Sequence, residues 1–333
     1  PGAGEGDGGG GDDRDDDRKG QAMTVTVYFA AGAGRWPQYE GPLTAALAEA
    51  GVDARIVLAA PEPAAVDFIV FAPGGDIADF GPFTSARAVL NLWAGVERIV
   101  TNPTLTQPLC RMVDPALTTG MVEWVCGHVL RHHLGMDRQI LNQNGVWDPV
   151  VPPLASERPV SVLGLGELGQ ACGRMLATLG FPVTGWSRAP RSVAGLRCLS
   201  GEEGLAAALG GAQILVTLLP LTAETENLLD ARRLGLLPEG AVIINPGRGP
   251  LIDDEALLAA LDAGRIGHAT LDVFRVEPLP AEHPFWAHPR VTVTPHIAAD
   301  TRPASAARVI AENIRRSVAG LPLLHLVDRG RGY

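Results

Sequence analysis

The run Val160-Ser-Val-Leu-Gly164-Leu-Gly166-Glu-Leu-Gly169-Gln-Ala-Cys-Gly-Arg-Met-Leu constrains the fold more than any other stretch of the chain. A short apolar strand passes into a glycine turn and then into a helical segment, the order that a dinucleotide site requires. Gly164 permits the tight turn, Gly166 lets the backbone approach a pyrophosphate, and Gly169 lets the helix pack close to the strand. The first N–H groups of that helix then face the phosphates. A second strand, Pro182-Val-Thr-Gly-Trp186, ends about twenty residues on, where the ribose contact belongs.

At 333 residues the chain is long enough for two domains, each with its own core. It is 46% hydrophobic and 19% charged, as soluble globular proteins are, and its net charge of -10 argues against a nucleic-acid partner. No apolar run reaches bilayer length, and no charged segment with an apolar core opens the chain. The expectation is a cytoplasmic protein without a membrane partner. Cys110, Cys126, Cys172 and Cys198 lack metal-ligand spacing, so no metal site is expected and the thiols should be reduced and buried. Residues 1–22, dominated by glycine and aspartate, have nothing to nucleate a core and are expected to form a disordered extension.

Apolar strands alternate with helical segments on both sides of the glycine run. Before it, Thr24–Ala30, Ala54–Leu58, Phe68–Phe71, Ala86–Leu92 and Arg98–Val100 read as strands, with a helix over Pro42–Ala50. Gly32-Ala-Gly34 has Pro37 where a third glycine would stand and reads as a plain loop. From Gly120 to about Gln143 the chain reads as mostly helical, with Met121, Val125, Val129 and Leu134 near helical spacing, and Pro149–Ser156 as a loop. Ile214–Leu218, Ala241–Asn245, Ala269–Val273 and Val291–Thr294 continue the strand series, and Ala304–Ala319 is a final helix that could return to the first domain. The pattern predicts an α/β protein of two doubly wound parallel-sheet, Rossmann-like domains with a cleft between them. The expected division is a substrate domain of residues 23–119 plus 300–333, flavodoxin-like, and a nucleotide-binding domain of residues 120–299.

Three side chains follow strands of the second half. Arg248 lies in the glycine-flanked turn Asn245-Pro-Gly-Arg-Gly249, Glu277 in Asp272-Val-Phe-Arg-Val-Glu-Pro-Leu-Pro280, and His296 in Thr294-Pro-His-Ile-Ala298. Ligands of open α/β sheets bind beyond the carboxyl ends of the strands. A cation for a substrate carboxylate, a proton donor working near neutral pH and a carboxylate to keep it charged would serve hydride transfer to a ketone.

From Met23 on, the chain resembles the D-isomer-specific 2-hydroxyacid dehydrogenases. The marks are Gly164-Leu-Gly-Glu-Leu-Gly169, Leu219-Pro-Leu-Thr-Ala-Glu-Thr225, Asn245-Pro-Gly-Arg-Gly249, Leu271-Asp-Val-Phe-Arg-Val-Glu-Pro-Leu-Pro280 and Thr294-Pro-His-Ile-Ala298. Trp186-Ser-Arg188 and the ending Val327-Asp-Arg-Gly-Arg-Gly-Tyr333 are similar to the glyoxylate/hydroxypyruvate reductase subgroup. The resemblance makes His296 the acid/base, Glu277 its partner and Arg248 the residue that holds the substrate. It also implies that backbone amides of Ala94-Gly95-Val96 grip the substrate carboxylate. Trp93 stands where many members have glycine, which would narrow the substrate mouth, and Pro246-Gly247 replaces a more usual pair before the arginine.

The implied cofactor contacts are Gly164, Leu165, Gly166, Glu167, Leu168, Gly169, Trp186, Ser187, Arg188, Arg191, Leu219, Pro220, Thr225, Pro246, Gly247, Asp272, His296 and Ala298. The second nucleotide strand ends Trp186-Ser-Arg-Ala-Pro-Arg191 without the carboxylate that would bind the ribose hydroxyls of NAD. Ser187 and Arg188, with Arg191 adding charge, instead suit a 2′-phosphate, so NADP is expected over NAD. The expected function is NADPH-dependent reduction of small 2-oxo acids, glyoxylate to glycolate and hydroxypyruvate to D-glycerate. The alternatives are a dehydrogenase of the same family with another substrate, or a cofactor-sensing corepressor on the same fold. The apolar stripe of the 120–143 segment is longer than one domain needs, and the resemblance implies that subunits pair through this region, so a homodimer joined through the nucleotide-binding domains is expected.

Overall fold

A computed structural model describes Gly2 and residues 24–330. The disorder expected of residues 1–22 therefore falls, Gly2 apart, outside the described residues, as do the last three positions of the chain.

The first half contains β1 (Val25–Ala30), α1 (Trp36–Glu49), β2 (Ala54–Val57), β3 (Phe68–Phe71), β4 (Ala88–Asn91), α2 (Glu97–Val100) and β5 (Leu109–Cys110). These strands form one parallel sheet in the order β2-β1-β3-β4-β5. Helices α3 (Pro115–His133) and α4 (Met136–Leu141) lead to the second sheet. Its elements are β6 (Val160–Leu163), α5 (Glu167–Thr178), β7 (Val183–Ser187), β8 (Arg197–Ser200), α6 (Gly201–Gly210), β9 (Ile214–Thr217), α7 (Ala231–Leu234), β10 (Ala241–Asn245), α8 (Asp254–Asp262), β11 (Ile266–Leu271) and β12 (Val291–Val293). The strand order is β12-β11-β10-β9-β6-β7-β8, again parallel throughout.

Both sheets are doubly wound, as expected. β3, β4, β6, β9 and β10 are buried at every residue, because helices cover both faces and no strand face meets water. The order reverses between β1 and β3 in one sheet and between β6 and β9 in the other, and such switch points open crevices at the carboxyl ends of the strands. The final helix, α9 (Pro303–Val318), buries Ala306, Ala307, Ile310, Ala311 and Ile314 against α1 and the first sheet. Asp114, fully buried, joins the two chain crossovers between the sheets. It caps α3 by accepting from the N–H groups of Ala116 and Leu117 at 3.1 and 3.3 Å, and it accepts Ser305 Oγ at 2.8 Å.

Several elements depart from the sequence expectation. Arg98–Val100 is helical, part of α2, where a strand was expected; three residues are too few to display a period, and Ile99 and Val100 are buried in either conformation. The last strand of that sheet is instead β5, a two-residue element. α1 starts at Trp36 rather than Pro42: Pro37 sits in the first turn, where its missing N–H costs nothing, and Pro42 lies inside the helix. α3 starts at Pro115, five residues before the expected Gly120. β8 carries no apolar run and escaped the reading, and β11 lies a few residues earlier than Ala269–Val273.

The four thiols are free; three are buried and Cys198 is half-buried. Burial raises the Cys110 and Cys126 thiols to about 11, so both stay protonated and inert. Among the described residues no helix is long and apolar enough to cross a membrane, and no cluster of His, Cys, Asp or Glu could hold a metal ion.

Candidate active site

The glycine turn is built as the sequence requires. Gly164 has φ +104°, and a Cβ there would lie 2.6 Å from the Leu218 carbonyl oxygen. A Cβ on Gly169 would fall 1.7 Å from the Gly164 oxygen, so α5 can approach β6 this closely only with glycine at that position. At Gly166, by contrast, a Cβ would meet nothing within 4 Å. The space before the first turn of α5 is open, and Gly166 and Glu167 are exposed to it. This cradle fits a diphosphate, which would face the helix N–H groups.

The neighbouring residues divide into lining and core. Leu165 is buried against Gly185, Leu168 is half-buried, and Leu219 belongs to the core of the second sheet. Pro220 and Thr225 form one turn, in which Thr225 Oγ1 donates to the Pro220 oxygen at 2.7 Å and accepts from the Thr222 N–H at 2.8 Å. Trp186 does not present its ring as a cofactor contact: the indole is buried in the core and donates Nε1–H to the Gly201 oxygen at 2.9 Å. Ser187 Oγ donates to the Ala189 oxygen at 2.8 Å. Arg188, exposed at the rim, is ion-paired with Glu224, and Arg191 is exposed beside it.

At the far end of the cleft, Asp272 organises the histidine loop. Its buried carboxylate accepts Thr294 Oγ1 at 2.6 Å and the N–H groups of Ile297 and Ala298 at 2.9 Å each. Asp272 was read as a cofactor contact; here its carboxylate is turned to this loop. Held on both sides, His296 adopts φ +54°, a left-handed conformation rare for a side-chain-bearing residue, and its N–H donates to the Asp272 oxygen at 2.9 Å. Such strain persists only where the surroundings impose it.

His296 Nδ1 lies 2.8 Å from Glu277 Oε2, while Glu277 Oε1 accepts the Phe274 N–H at 2.9 Å. The hydrogen bond to Glu277 raises the imidazole above its ordinary value. The charges of Glu277 and Asp272 add to the effect, against burial and Arg248. Burial alone would raise the Glu277 carboxyl, but the hydrogen bonds from His296 and Phe274, with the positive charges of His296 and Arg248, bring it below its ordinary value. Both shifts favour a charged histidine paired with a carboxylate, and Nε2, the ring nitrogen not bonded to Glu277, is the position from which a proton can leave.

Arg248 reaches the same region from the turn after β10. Asn245, buried, accepts Thr217 Oγ1 at 2.6 Å and the Gly247 N–H at 3.1 Å, and donates to the Arg248 oxygen at 3.0 Å. Pro246 and Gly247 are buried in this turn, and a Cβ on Gly247 would lie 2.8 Å from the Thr217 oxygen. The guanidinium makes a two-pronged ion pair with Glu97, Nε to Oε1 at 2.9 Å and Nη2 to Oε2 at 3.3 Å. Glu97 opens α2, so the pair bridges the two halves of the chain.

The Ala94-Gly95-Val96 turn lies directly beneath. Asn91 Nδ2 donates to the oxygens of Trp93 and Gly95 at 2.9 Å each. In a trans peptide the N–H points opposite to the carbonyl, so the amides of Ala94 and Val96 are turned away from Asn91. None of the N–H groups of residues 94–96 has an acceptor among the described residues. Unpaired amides beside a guanidinium make a site for a carboxylate. Trp93 is half-buried, with the Arg35 guanidinium 5.8 Å from its ring centre.

The structure thus gathers Arg248, Glu277, His296 and the 94–96 turn at the carboxyl edges of two facing sheets. Asn91, Glu97, Asn245 and Thr294 were missed. Asn91 and Asn245 each end a strand just before a tight turn, a local signal that could have found them; Glu97 offered only its place after Val96.

Comparison with known proteins identifies the family. Residues 125–298 match the family model for the NAD binding domain of D-isomer specific 2-hydroxyacid dehydrogenases. A glyoxylate/hydroxypyruvate reductase A of Yersinia enterocolitica is 41% identical over 255 residues, covering 74% of this chain and 82% of the relative. A D-isomer specific 2-hydroxyacid dehydrogenase from Xanthobacter autotrophicus Py2, solved with NADPH and MES, superposes with a TM-score of 0.86 at 41% identity, covering 93% of this chain and 100% of that one. An NADPH-dependent glyoxylate/hydroxypyruvate reductase from Sinorhizobium meliloti, solved with NADP and sulfate, gives 0.82 at 34% identity over 93% of this chain and 100% of that one. With its glycine cradle, histidine–glutamate pair and bridging arginine, the chain belongs to the D-isomer specific 2-hydroxyacid dehydrogenase family.

Proposed function

We propose that this protein is an NADPH-dependent reductase of small 2-oxo acids, converting glyoxylate to glycolate and hydroxypyruvate to D-glycerate. The observation that carries the reading is the convergence of the His296–Glu277 pair, at 2.8 Å, with Arg248 and the unpaired 94–96 amides. Arg248 and those amides hold the substrate carboxylate and polarise the ketone. NADPH, when bound, supplies the hydride. His296 gives its proton to the carbonyl oxygen, and Glu277 keeps the imidazole charged until that moment. The residues that would hold the nucleotide are the Gly164–Gly169 turn, the backbone around Leu219, Pro220 and Thr225, the Pro246–Gly247 turn, the 296–298 loop and, at a 2′-phosphate, Ser187, Arg188 and Arg191. Relatives solved with NADPH or NADP bound, and the lack of a carboxylate at the end of β7, support NADP over NAD.

The proposed division is a substrate domain of residues 23–119 with 300–333 and a nucleotide-binding domain of residues 120–299. α9 packing on the first sheet supports it. The protein is further proposed to act in the cytoplasm as a homodimer. The helical stripe expected to pair the subunits is used internally, since Met121, Val125 and Val129 pack on the second sheet. What supports a dimer instead is the apolar surface just beyond, where Leu141, Trp147 and Val151 are 81%, 93% and 88% exposed.

The test is NADPH oxidation with glyoxylate, hydroxypyruvate, pyruvate and phenylpyruvate. Turnover is expected with the first two at kcat/KM well above that with phenylpyruvate. Preference for phenylpyruvate would assign a different substrate, and no turnover with any of the four would refute a reductase.

A further inference from the structure

We propose that Glu97 is a positioning residue for the reaction: its carboxylate fixes the Arg248 fork from the opposite half of the chain and so sets where the remaining N–H groups are offered. The inference rests on the functional reading above. Glu97 engages Nε and Nη2 at 2.9 and 3.3 Å, and the Gly247 oxygen accepts from Nη1 at 2.7 Å. One N–H on each Nη then remains to meet a carboxylate or a ketone oxygen. The fork is also confined from below, because a Cβ on Gly95 would lie 2.0 Å from Nη2 and 2.7 Å from Glu97 Oε2. Glycine at position 95 is thus what allows the guanidinium to lie against the turn that carries the unpaired amides. Both charged groups are largely enclosed, at 29% and 26% exposure, so solvent screens the pair less than a surface pair.

Glu97 also offsets the arginine's charge where that charge matters. Arg248 lowers both the imidazole of His296 and the carboxyl of Glu277. The groups facing the imidazole are Glu277 and Asp272 from the segment after β11, and Arg248 from the turn after β10. Glu97 meets this set through Arg248.

The experiment is an NMR titration of the His296 imidazole in the NADP-saturated protein, in wild type, Glu97→Gln, Arg248→Gln and the double variant. In Glu97→Gln the midpoint should fall by on the order of half a pH unit, because a carboxylate charge is lost and the released guanidinium is free to approach the imidazole. The fall should shrink when Arg248 is also replaced, leaving only the direct effect of the lost carboxylate charge. An unchanged midpoint in Glu97→Gln, or the same fall in the Arg248→Gln background, overturns the proposal. Gly95→Ala gives an independent arm, since it displaces the guanidinium without adding or removing a charge. It should lower kcat/KM for the 2-oxo acid by roughly tenfold while NADPH affinity stays at the wild-type value. Wild-type kcat/KM in Gly95→Ala also overturns the proposal. The titration uses no 2-oxo acid, so a failure of the proposed function would show in the assay and not in the midpoints.

Discussion

The two ends of the nucleotide-side cleft are built in opposite ways. At the histidine end, Asp272 is fully buried and binds Thr294, Ile297 and Ala298 at 2.6–2.9 Å, so the loop bearing His296 has no freedom to move without breaking buried hydrogen bonds. At the ribose end, Arg188 and Glu224 are paired in solvent, 58% and 66% exposed. Reaction geometry must be fixed before the substrate arrives, because each misplaced proton donor adds to the barrier. Recognition of a phosphate tolerates a mobile arginine, since charge-assisted bonds form wherever the fork can reach. Changes at the rigid end should therefore be large and insensitive to salt, and changes at the rim small and screened.

The strongest way to break that contrast is His296→Ala. Losing a positioned acid typically costs about 10²–10⁴-fold, so kcat should collapse while NADPH affinity, measured by fluorescence titration, stays near wild type. Turnover within a few-fold of wild type would show that the rigid end is not the reacting end.

Asp272→Ala tests whether the buried carboxylate is the anchor. Each buried donor left without an acceptor costs about 1–3 kcal/mol, so denaturant melts should show a clear loss of stability together with a loss of kcat. A stable variant with unimpaired turnover would mean that the loop holds itself.

A pH profile sharpens the same end. The imidazole of His296 is raised above its ordinary 6.5 first by its hydrogen bond to Glu277. Because the folded value exceeds the unfolded one, the pairing contributes its full stability below about pH 6.5 and loses it as pH rises through the raised value. Reduction follows the same sign, persisting while the histidine is protonated and falling on the alkaline side. Glu277→Gln should move that alkaline limb of kcat/KM toward lower pH; a limb that stays in place would assign it to another group.

The smallest effect is expected at the rim. Arg188→Ala should reduce the preference for NADPH over NADH by roughly three- to tenfold, less than for a buried pair because the site is open to solvent. The wild-type preference should also shrink as salt rises. A preference that salt and this substitution both leave intact would place phosphate recognition elsewhere.

How much of this was legible in the sequence varied with the range of the interaction. The glycine turn was readable because Gly164, Gly166 and Gly169 answer constraints set within one strand-turn-helix unit. Arg248, Glu277 and His296 were readable by their positions just after strands, the edge where ligands of such sheets bind. Arg98–Val100 misled because three apolar residues look alike in a strand and in one helical turn. Trp186 ends a strand at the ribose edge, yet its ring turns into the core, and nothing local distinguishes those two faces.

By itself, then, the sequence determined the two parallel sheets, the glycine turn and the types of the groups at the candidate site, because short apolar runs, glycine sterics and side-chain chemistry act over a few residues. Tertiary structure alone decided that Glu97 would hold the fork of Arg248, that Asp272 would hold the histidine loop rather than stand open to the cleft, and that Arg188 would pair with Glu224. Glu97 and Arg248 are 151 residues apart in the chain, Asp272 and Ile297 are 25 apart, and Arg188 and Glu224 are 36 apart. Such contacts come into being only when separate strands bring their carboxyl ends to one edge, and that juxtaposition is a property of the folded sheets rather than of any local run of residues.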